Sequence, residues 1–458
     1  MTNHLTTTFV AAEMRRRDYE VFEGPEAEIL GGAADSRKVQ SGDLFTAFPG
    51  ETSDGNEFVT DALRAGAAAV ICSRRPEGEW PNATVVIAPN TTKAVGELAH
   101  TWRRECAPQV IGITGTVGKT TAKEFTAAVL SQRFRTHHSP GNLNSREGLP
   151  LALMSLRRDH EVSVMEVAMD SKGEIAELAA IVEPLIGVVL NIGLTHVSKL
   201  GSIDAIAAEK LSLVRGLPRE GTAILNADDP RVAAVAPELR CNVFTFGEAE
   251  GSVLLRGPIE DDGLNGTSFD VTFQGLTERI HSPLPGAHTV PAVLTAICAS
   301  ISLGMSLRGA ASEVSQAQPT GRARVARSSS GGTIIDDRYN SSPASLQGAL
   351  RMLGALKGRR IALLGRMAEL GEFEGQEHRK AGETAAANAD IIVCSGPVCR
   401  PLFEAARVAG HADAHWFETK EEAAAYVAGI QGEGDFVLVK ASRGEAFEDI
   451  LPLLEAAK

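Results

Sequence analysis

The stretch Gly112-Ile113-Thr114-Gly115-Thr116-Val117-Gly118-Lys119-Thr120-Thr121 decides the reading of this chain. It follows an apolar run, Val110 to Ile113, and leads into a segment of helical pattern. A strand, a glycine turn and a helix N-terminus in that order make a cradle for the phosphates of a nucleoside triphosphate. Backbone N–H groups converge there, and the helix dipole presents its positive end. In this reading Gly115, Thr116 and Gly118 shape the loop and Lys119 sets a point charge between the β and γ phosphates. Thr120 offers a hydroxyl to magnesium, and Thr121 opens the helix. The spacing departs from GxxxxGK(S/T), which would need glycine at Ile113; it is the TGTxGKT form, with Gly115 making the first bend. A plain glycine turn would explain the glycines but not Lys-Thr-Thr in register behind an apolar strand.

The bulk properties suit an enzyme of this kind. A chain of 458 residues exceeds one ordinary core, so two to four domains are expected. With 43% hydrophobic and 22% charged residues it reads as globular. A net charge of −13 argues against a nucleic-acid partner, so the ligand's anions must be met by a few local cations. The six cysteines, Cys72, Cys106, Cys241, Cys298, Cys394 and Cys399, form no CxxC pair and read as reduced thiols. Met1 to Arg17 lacks an apolar core of signal length, and no stretch approaches about 18 apolar residues. The expectation is a soluble cytoplasmic protein with no membrane insertion.

Three α/β blocks are legible. Residues 1–106 hold Asp35-Ser36-Arg37, the run Gly42 to Phe48, Asp54-Gly55-Asn56-Glu57-Phe58 and an alanine-rich helix leading to a strand at Ala68 to Cys72. Residues 107–318 carry near-continuous apolar strands, Val110–Ile113, Val162–Val167, Ile186–Leu190 and Thr222–Leu225, separated by helical patterns. Such strands are covered on both faces and imply a parallel sheet. Residues 319–458 repeat the habit at Ile334-Ile335, Arg360–Leu364, Ile391–Cys394 and Phe436–Lys440, predicting a second, smaller doubly wound domain of Rossmann-like type.

Downstream residues have the chemistry that the phosphate loop needs. Glu166 ends an apolar strand, where parallel sheets present ligands, and can hold magnesium beside Thr120. The run Asn191-Ile192-Gly193-Leu194-Thr195-His196 ends another strand, and Lys210 follows on a helical segment. By itself a strand-end histidine is more often structural, and a helical lysine merely solvated.

Taken together, the TGTxGKT loop, Glu166, NIGxxH, Lys210, Gly286-Ala287-His288, Gly321-Arg322 and Asp336-Asp337-Arg338-Tyr339-Asn340 resemble the Mur ligase family. These are ATP-dependent enzymes that add amino acids to the peptide stem of the cell-wall precursor. The resemblance covers nearly the whole chain. It implies an N-terminal UDP-sugar-binding domain, a central ATPase domain and a C-terminal ligase domain. Gly141-Asn142-Leu143-Asn144, the segment from Asp336 to Pro343, and Met367-Ala368-Glu369-Leu370-Gly371 with His378 point within the family to the ligase joining UDP-N-acetylmuramoyl-tripeptide to D-alanyl-D-alanine.

Carried over residue by residue, the resemblance implies that Lys119 binds the β and γ phosphates and that Thr120 and Glu166 bind one magnesium ion. His196 and a carbamylated Lys210 would serve a second. It makes Lys119, Lys210, His196 and Glu166 catalytic, and places His288, Arg322, Asp336, Asp337 and Asn340 about the nucleotide. Ser36, Arg37, Asn142 and Asn144 fall to the UDP-linked substrate. A monomer is expected. The implied reaction passes through an acyl phosphate and needs no nucleophilic side chain.

The chain departs from the family pattern where GxHNxxN reads Gly286-Ala287-His288-Thr289-Val290-Pro291-Ala292, so both asparagine positions near the adenine are changed. GDMxELG carries Arg366 in place of an acid, KGSR carries Ala441, YNANP reads Tyr339-Asn340-Ser341-Ser342-Pro343, and GNLNN ends in Ser145. These changes keep two further readings open: a related ligase adding a single amino acid or using another acid, and a non-catalytic nucleotide-binding paralogue. A P-loop GTPase or kinase leaves NIGxxH and Lys210 without a role, and no guanine-reading NKxD follows.

Overall fold

A computed structural model describes residues 2–50, 53–195, 197–318 and 324–456. His196 and Arg322, both expected at the site, lie outside the described residues.

The N-terminal block is a five-stranded sheet in the order Glu20–Phe22, Thr84–Ile87, Ala69–Cys72, Asp43–Thr46, Gly31–Ala33. All neighbours are parallel except the first pair. Its last helix, Thr91–Cys106, buries Leu98 and Trp102, and the Trp102 indole donates to Leu156 O at 2.9 Å. One apolar cluster therefore runs from this block into the middle one, through Leu149, Leu153 and Leu178.

The middle block is a nine-stranded sheet: β1 (Gln109–Thr114), β2 (Thr136–His138), β3 (Val162–Glu166), β4 (Ile186–Val189), β5 (Thr222–Asn226), β6 (Asn242–Gly247), β7 (Val253–Asp261), β8 (Thr267–Phe273) and β9 (Leu276–Ser282). The spatial order is β9-β8-β7-β6-β5-β4-β1-β3-β2. From β2 through β7 all pairs are parallel, as the apolar runs predict. The antiparallel pairs β7–β8 and β8–β9 extend the sheet beyond what those runs predict. Their exposed faces carry Arg256, Asp270, Arg279 and Thr277, so they read as polar loops rather than as covered strands. On the faces lie α1 (Lys119–Leu130), α2 (Glu174–Val182), α3 (Ile203–Arg215) and α4 (Val290–Ser302).

The C-terminal block is a six-stranded sheet of β10 (Arg324–Arg327), β11 (Thr333–Asp336), β12 (Arg360–Leu364), β13 (Ile391–Ser395), β14 (Ala414–Phe417) and β15 (Phe436–Lys440), in the order β10-β11-β15-β12-β13-β14. Only β10 runs antiparallel to its neighbour. Two apolar clusters, one around Leu350 and Leu438 and one around Val439 and Phe447, cover its faces. All six cysteines are free, and burial pushes the Cys72, Cys106 and Cys399 thiols up to about 12, far from reactive range.

Candidate active site

Strand β1 lies between β3 and β4 at the centre of the middle sheet. The crossover to β2 leaves on one side and the return to β4 on the other, so the C-terminal ends of β1, β3 and β4 flank a switch-point crevice. Each end supplies one part of the site: the phosphate loop, Glu166 and Asn191.

The loop needs glycine at two places for different reasons. Gly118 caps α1 at φ +84°, in the left-handed region that side chains disfavour. At Gly115 a Cβ would stand 2.9 Å from Leu190 Cβ, too close for any side chain. Asn191 then clamps the loop: its Oδ1 accepts from Thr116 N at 3.0 Å and Val117 N at 2.9 Å, and its Nδ2 donates to Val117 O at 3.0 Å. Thr116 Oγ1 and Gly193 exchange two further bonds, at 3.2 and 2.7 Å. The Asn191-Ile192-Gly193 segment thus rigidifies the loop, a role its sequence position alone did not disclose.

Lys119 Nζ donates to Gly115 O at 2.8 Å and to Thr116 O at 3.1 Å, so the ammonium is folded over its own loop. Thr120, buried, donates through Oγ1 to Glu166 Oε2 at 2.8 Å, and Asn144 Nδ2 donates to Glu166 Oε1 at 2.8 Å. Glu166 is 2% exposed, and its own N–H donates to Ser139 Oγ at 3.2 Å. A hydroxyl and a carboxylate oxygen in contact are the hard oxygen donors that magnesium takes. Among the described residues no group of three His, Cys, Asp or Glu side chains could cage a metal.

Lys210 is 1% exposed on α3 and donates to Gly115 O at 2.9 Å, behind the loop. Burial, then repulsion from Lys119, holds its ammonium pKa well below the usual lysine range. A buried lysine that readily loses its proton is the nucleophile that carbamylation by carbon dioxide requires.

Two cavities meet at this loop. The first, about 390 Å³, is walled on the middle-domain side by Lys119, Asn142, Asn144 and Glu166 and on the other by Tyr339, Asn340, Glu369, Ser442 and Arg443. Thr195, whose buried Oγ1 has no hydrogen-bond partner among the described residues, also lines this cleft. The second, about 130 Å³, is largely apolar and continues from Gly118 and Thr121 to Leu284, His288, Thr289, Ala292, Met352, Asp337 and Lys440. There the His288 ring packs on glycine backbone: a Cβ on Gly286 or Gly348 would come within 2.8 or 2.7 Å of it. Thr289 Oγ1 is occupied by Gly286 O at 2.8 Å. Buried Lys440 pairs with the Asp337 carboxylate and donates to Asn340 O at 3.1 Å.

Not every expected residue converges. The Asp336 carboxylate faces Arg338 at 3.3 Å and Arg324 at 3.9 Å, away from both cavities, and burial raises its pKa. Ser36 and Arg37 form one turn in which Arg37 chelates Asp35 at 2.8 Å. Neither lines the third cavity, about 890 Å³, which lies between the N-terminal sheet and α2 and is walled by Asp54, Asn56, Ser73, Lys93, Arg146 and Glu177. The charge reversal at Arg366 is neutralised locally, since its Nε donates to Glu374 at 2.7 Å and the side chain lines neither nucleotide-side cavity.

Comparison with known proteins agrees with this geometry. Three family models match in order: the catalytic domain of the Mur ligase family over residues 29–103, the Mur ligase middle domain over 113–300, and the Mur ligase glutamate ligase domain over 321–443. The UDP-N-acetylmuramoyl-tripeptide--D-alanyl-D-alanine ligase of Bacillus subtilis is 33% identical over 92% of either chain. That of Synechocystis is 36% identical over 76% of this chain and 75% of its own. Among solved structures, MurF from Acinetobacter baumannii superposes with a TM-score of 0.82 at 28% identity, covering 96% of this chain and 97% of its own. MurF from Thermotoga maritima, in complex with ADP, gives 0.77 at 26% identity over 92% and 96%. With its three domains matched in order and its phosphate loop, strand-end glutamate and buried lysine brought to one crevice, the chain belongs to the Mur ligase family.

Proposed function

We propose that the protein uses ATP to join UDP-N-acetylmuramoyl-tripeptide to D-alanyl-D-alanine, forming an amide bond in peptidoglycan precursor synthesis. The observation that carries this reading is the crevice lined by Lys119 and Glu166, with Thr120 bonded to Glu166 and Lys210 buried behind the loop, opening to a wall from the C-terminal domain. The relatives named for this reaction support it over nearly the full chain.

ATP lies with its phosphates on the loop and its base in the apolar cavity beside His288. Lys119 exchanges its bonds to Gly115 and Thr116 for the β and γ phosphate oxygens. Thr120 and Glu166 would hold magnesium, whose chemistry there would be to neutralise phosphate charge and polarise the γ-phosphorus. The terminal carboxylate of the stem peptide attacks that phosphorus, releasing ADP and leaving an acyl phosphate. The dipeptide amine, having lost its ammonium proton, attacks the acyl carbon; the tetrahedral intermediate expels phosphate and the amide remains. Asn144 fixes the Glu166 carboxylate and Ser139 its backbone throughout. Lys210, if carbamylated, would offer an anionic oxygen and, with His196, would hold a second magnesium; Arg322 would meet the γ-phosphate. Asp337 and Asn340 line the nucleotide cavity and the cleft, respectively. The large cavity above α2 takes the UDP-linked portion of the acceptor. A monomer in the cytoplasm, where ATP and UDP-linked precursors occur, is the form and place that this reading assigns; no helix among the described residues is long and apolar enough to cross a membrane.

Arg366 bears on the choice of amine. Because Glu374 neutralises it outside the cleft, the reversed charge gives no reason to prefer another amine substrate. The test is phosphate release from ATP and magnesium with the tripeptide precursor, with and without D-alanyl-D-alanine. Turnover requiring both is expected; turnover with a different amine alone would replace the assignment.

A further inference from the structure

Lys123 stands one turn into α1 from the phosphate loop, three residues after Thr120 and four after Lys119, so the three share one face of the helix. It is fully buried, and a buried ammonium is costly unless each of its protons finds an acceptor. Its Nζ donates to Ser139 O and, at 3.1 Å, to Gly141 O, and lies 2.8 Å from the Glu124 carboxylate. Three acceptors match the three protons of an ammonium. Two of them are backbone carbonyls of one loop, the one that follows β2.

That loop is where Glu166 finds its support. Ser139 Oγ accepts from Glu166 N at 3.2 Å, and Asn144 Nδ2 donates to Glu166 Oε1 at 2.8 Å. The other carboxylate oxygen, Oε2, accepts from Thr120 Oγ1 at 2.8 Å. Glu166 is thus held from the loop on one side and from α1 on the other, and Lys123 ties that loop to that helix. Gly141 shows a backbone shaped for the purpose. It is exposed and takes φ +54°, although a Cβ there would meet nothing within 4 Å. Conformation rather than space asks for glycine, and conformation is what aims a carbonyl.

An apolar side chain would fill the Lys123 site with no charge to compensate. Only an ammonium grips two carbonyls and a carboxylate at once. We infer that Lys123 is a positioning residue for the metal-binding oxygens, fixing the 139–144 loop against α1 so that Glu166 and Thr120 present their oxygens to one ion. This rests on the reading of the crevice as an ATP and magnesium site and extends it to a residue that touches neither.

The experiment titrates manganese, a paramagnetic stand-in for magnesium, into the protein with a non-hydrolysable ATP analogue and reads the free ion by electron paramagnetic resonance. Lys123→Met should weaken manganese binding about 10- to 100-fold, the usual cost of losing a group that orients a metal ligand. The analogue alone should bind as it does to wild type. Asn144→Ala should weaken manganese comparably, and the double variant by less than the product of the two, since both act through Glu166. Gly141→Ala leaves the packing alone and should move the affinity the same way, as its carbonyl turns from the ammonium. Wild-type affinity in Lys123→Met, even in a protein that melts lower, would make the lysine merely structural and refute the inference; a double variant equal to the product would refute it too. If Lys123→Met fails to fold, Gly141→Ala decides, and manganese bound there as tightly as in wild type overturns the inference. Manganese uptake needs neither the tripeptide precursor nor the dipeptide, so the phosphate-release test of the ligase reading stands or falls separately.

Discussion

Lys119 and Lys210 both donate to the carbonyl of Gly115, yet they are built for different work. Lys119 is half-buried and can swing to an anion; Lys210 is sealed in and resists protonation. Lys119→Met should therefore leave the fold intact and cut kcat/KM about 100- to 1,000-fold, the cost of one preorganised group at a developing charge. ADP release at saturating acceptor reads it. Lys210→Ala should lose activity that bicarbonate fails to restore and that a small carboxylate such as acetate restores in part, since acetate can stand where the carbamate oxygens would. Full activity in Lys210→Ala would end the carbamate proposal. Lys119 was legible because its place in a glycine loop behind a strand is distinctive, whereas Lys210 was singled out only through the family resemblance. Lys123 was not: it looks like any helical lysine, but it is fully buried and donates to Ser139 O and Gly141 O, holding the loop that delivers Asn144 to Glu166. Its neighbours are set by tertiary contact, which no local pattern records.

At the scale of elements, the short strand β2 closes the edge of the middle sheet around a buried histidine. His137 Nδ1 meets Ser163 Oγ at 2.9 Å and Nε2 meets Ala152 O at 3.2 Å. Burial, with His160 nearby, pushes its pKa down to about 3 from 6.5. Above pH 6.5 both folded and unfolded chains hold it neutral; between 6.5 and 3 only the unfolded chain takes up the proton, so stability falls as the pH falls through that window and levels off below it. The loss is on the order of 5 kcal/mol. Urea titrations of His137→Gln from pH 7 to 4 should show a shallower slope than wild type, from a lower starting stability; an unchanged slope would place the acid sensitivity elsewhere. The covered strands β1, β3, β4 and β5 were readable because parallel strands with helices on both faces must be apolar throughout. β7, β8 and β9 were not, because a one-sided antiparallel ribbon mixes Val253 and Leu255 with Arg256 and Asp261, and its register depends on β6 beside it.

For the molecule as a whole, the decisive feature is that the reactants' walls come from different domains. Lys119, Thr120 and Glu166 belong to the middle sheet, whereas Asp337, Tyr339, Glu369 and Arg443 belong to the C-terminal one, and the cleft between them measures about 390 Å³. The sequence foretold both domains because each carries its own apolar strands. It could not foretell their meeting, which depends on surfaces rather than on periodicity. An acyl phosphate is destroyed by water, so the cleft is expected to close before the phosphoryl group moves. The C-terminal domain, with a core on each face of its own sheet, is able to move as a unit. The connection at 319–323 lies outside the described residues, and closure about it is the expectation. Small-angle scattering with a non-hydrolysable ATP analogue, magnesium and both substrates should give a smaller radius of gyration than the protein alone. Superposable profiles with and without ligands would mean that the cleft is already competent, and water would then have to be excluded by the substrates themselves.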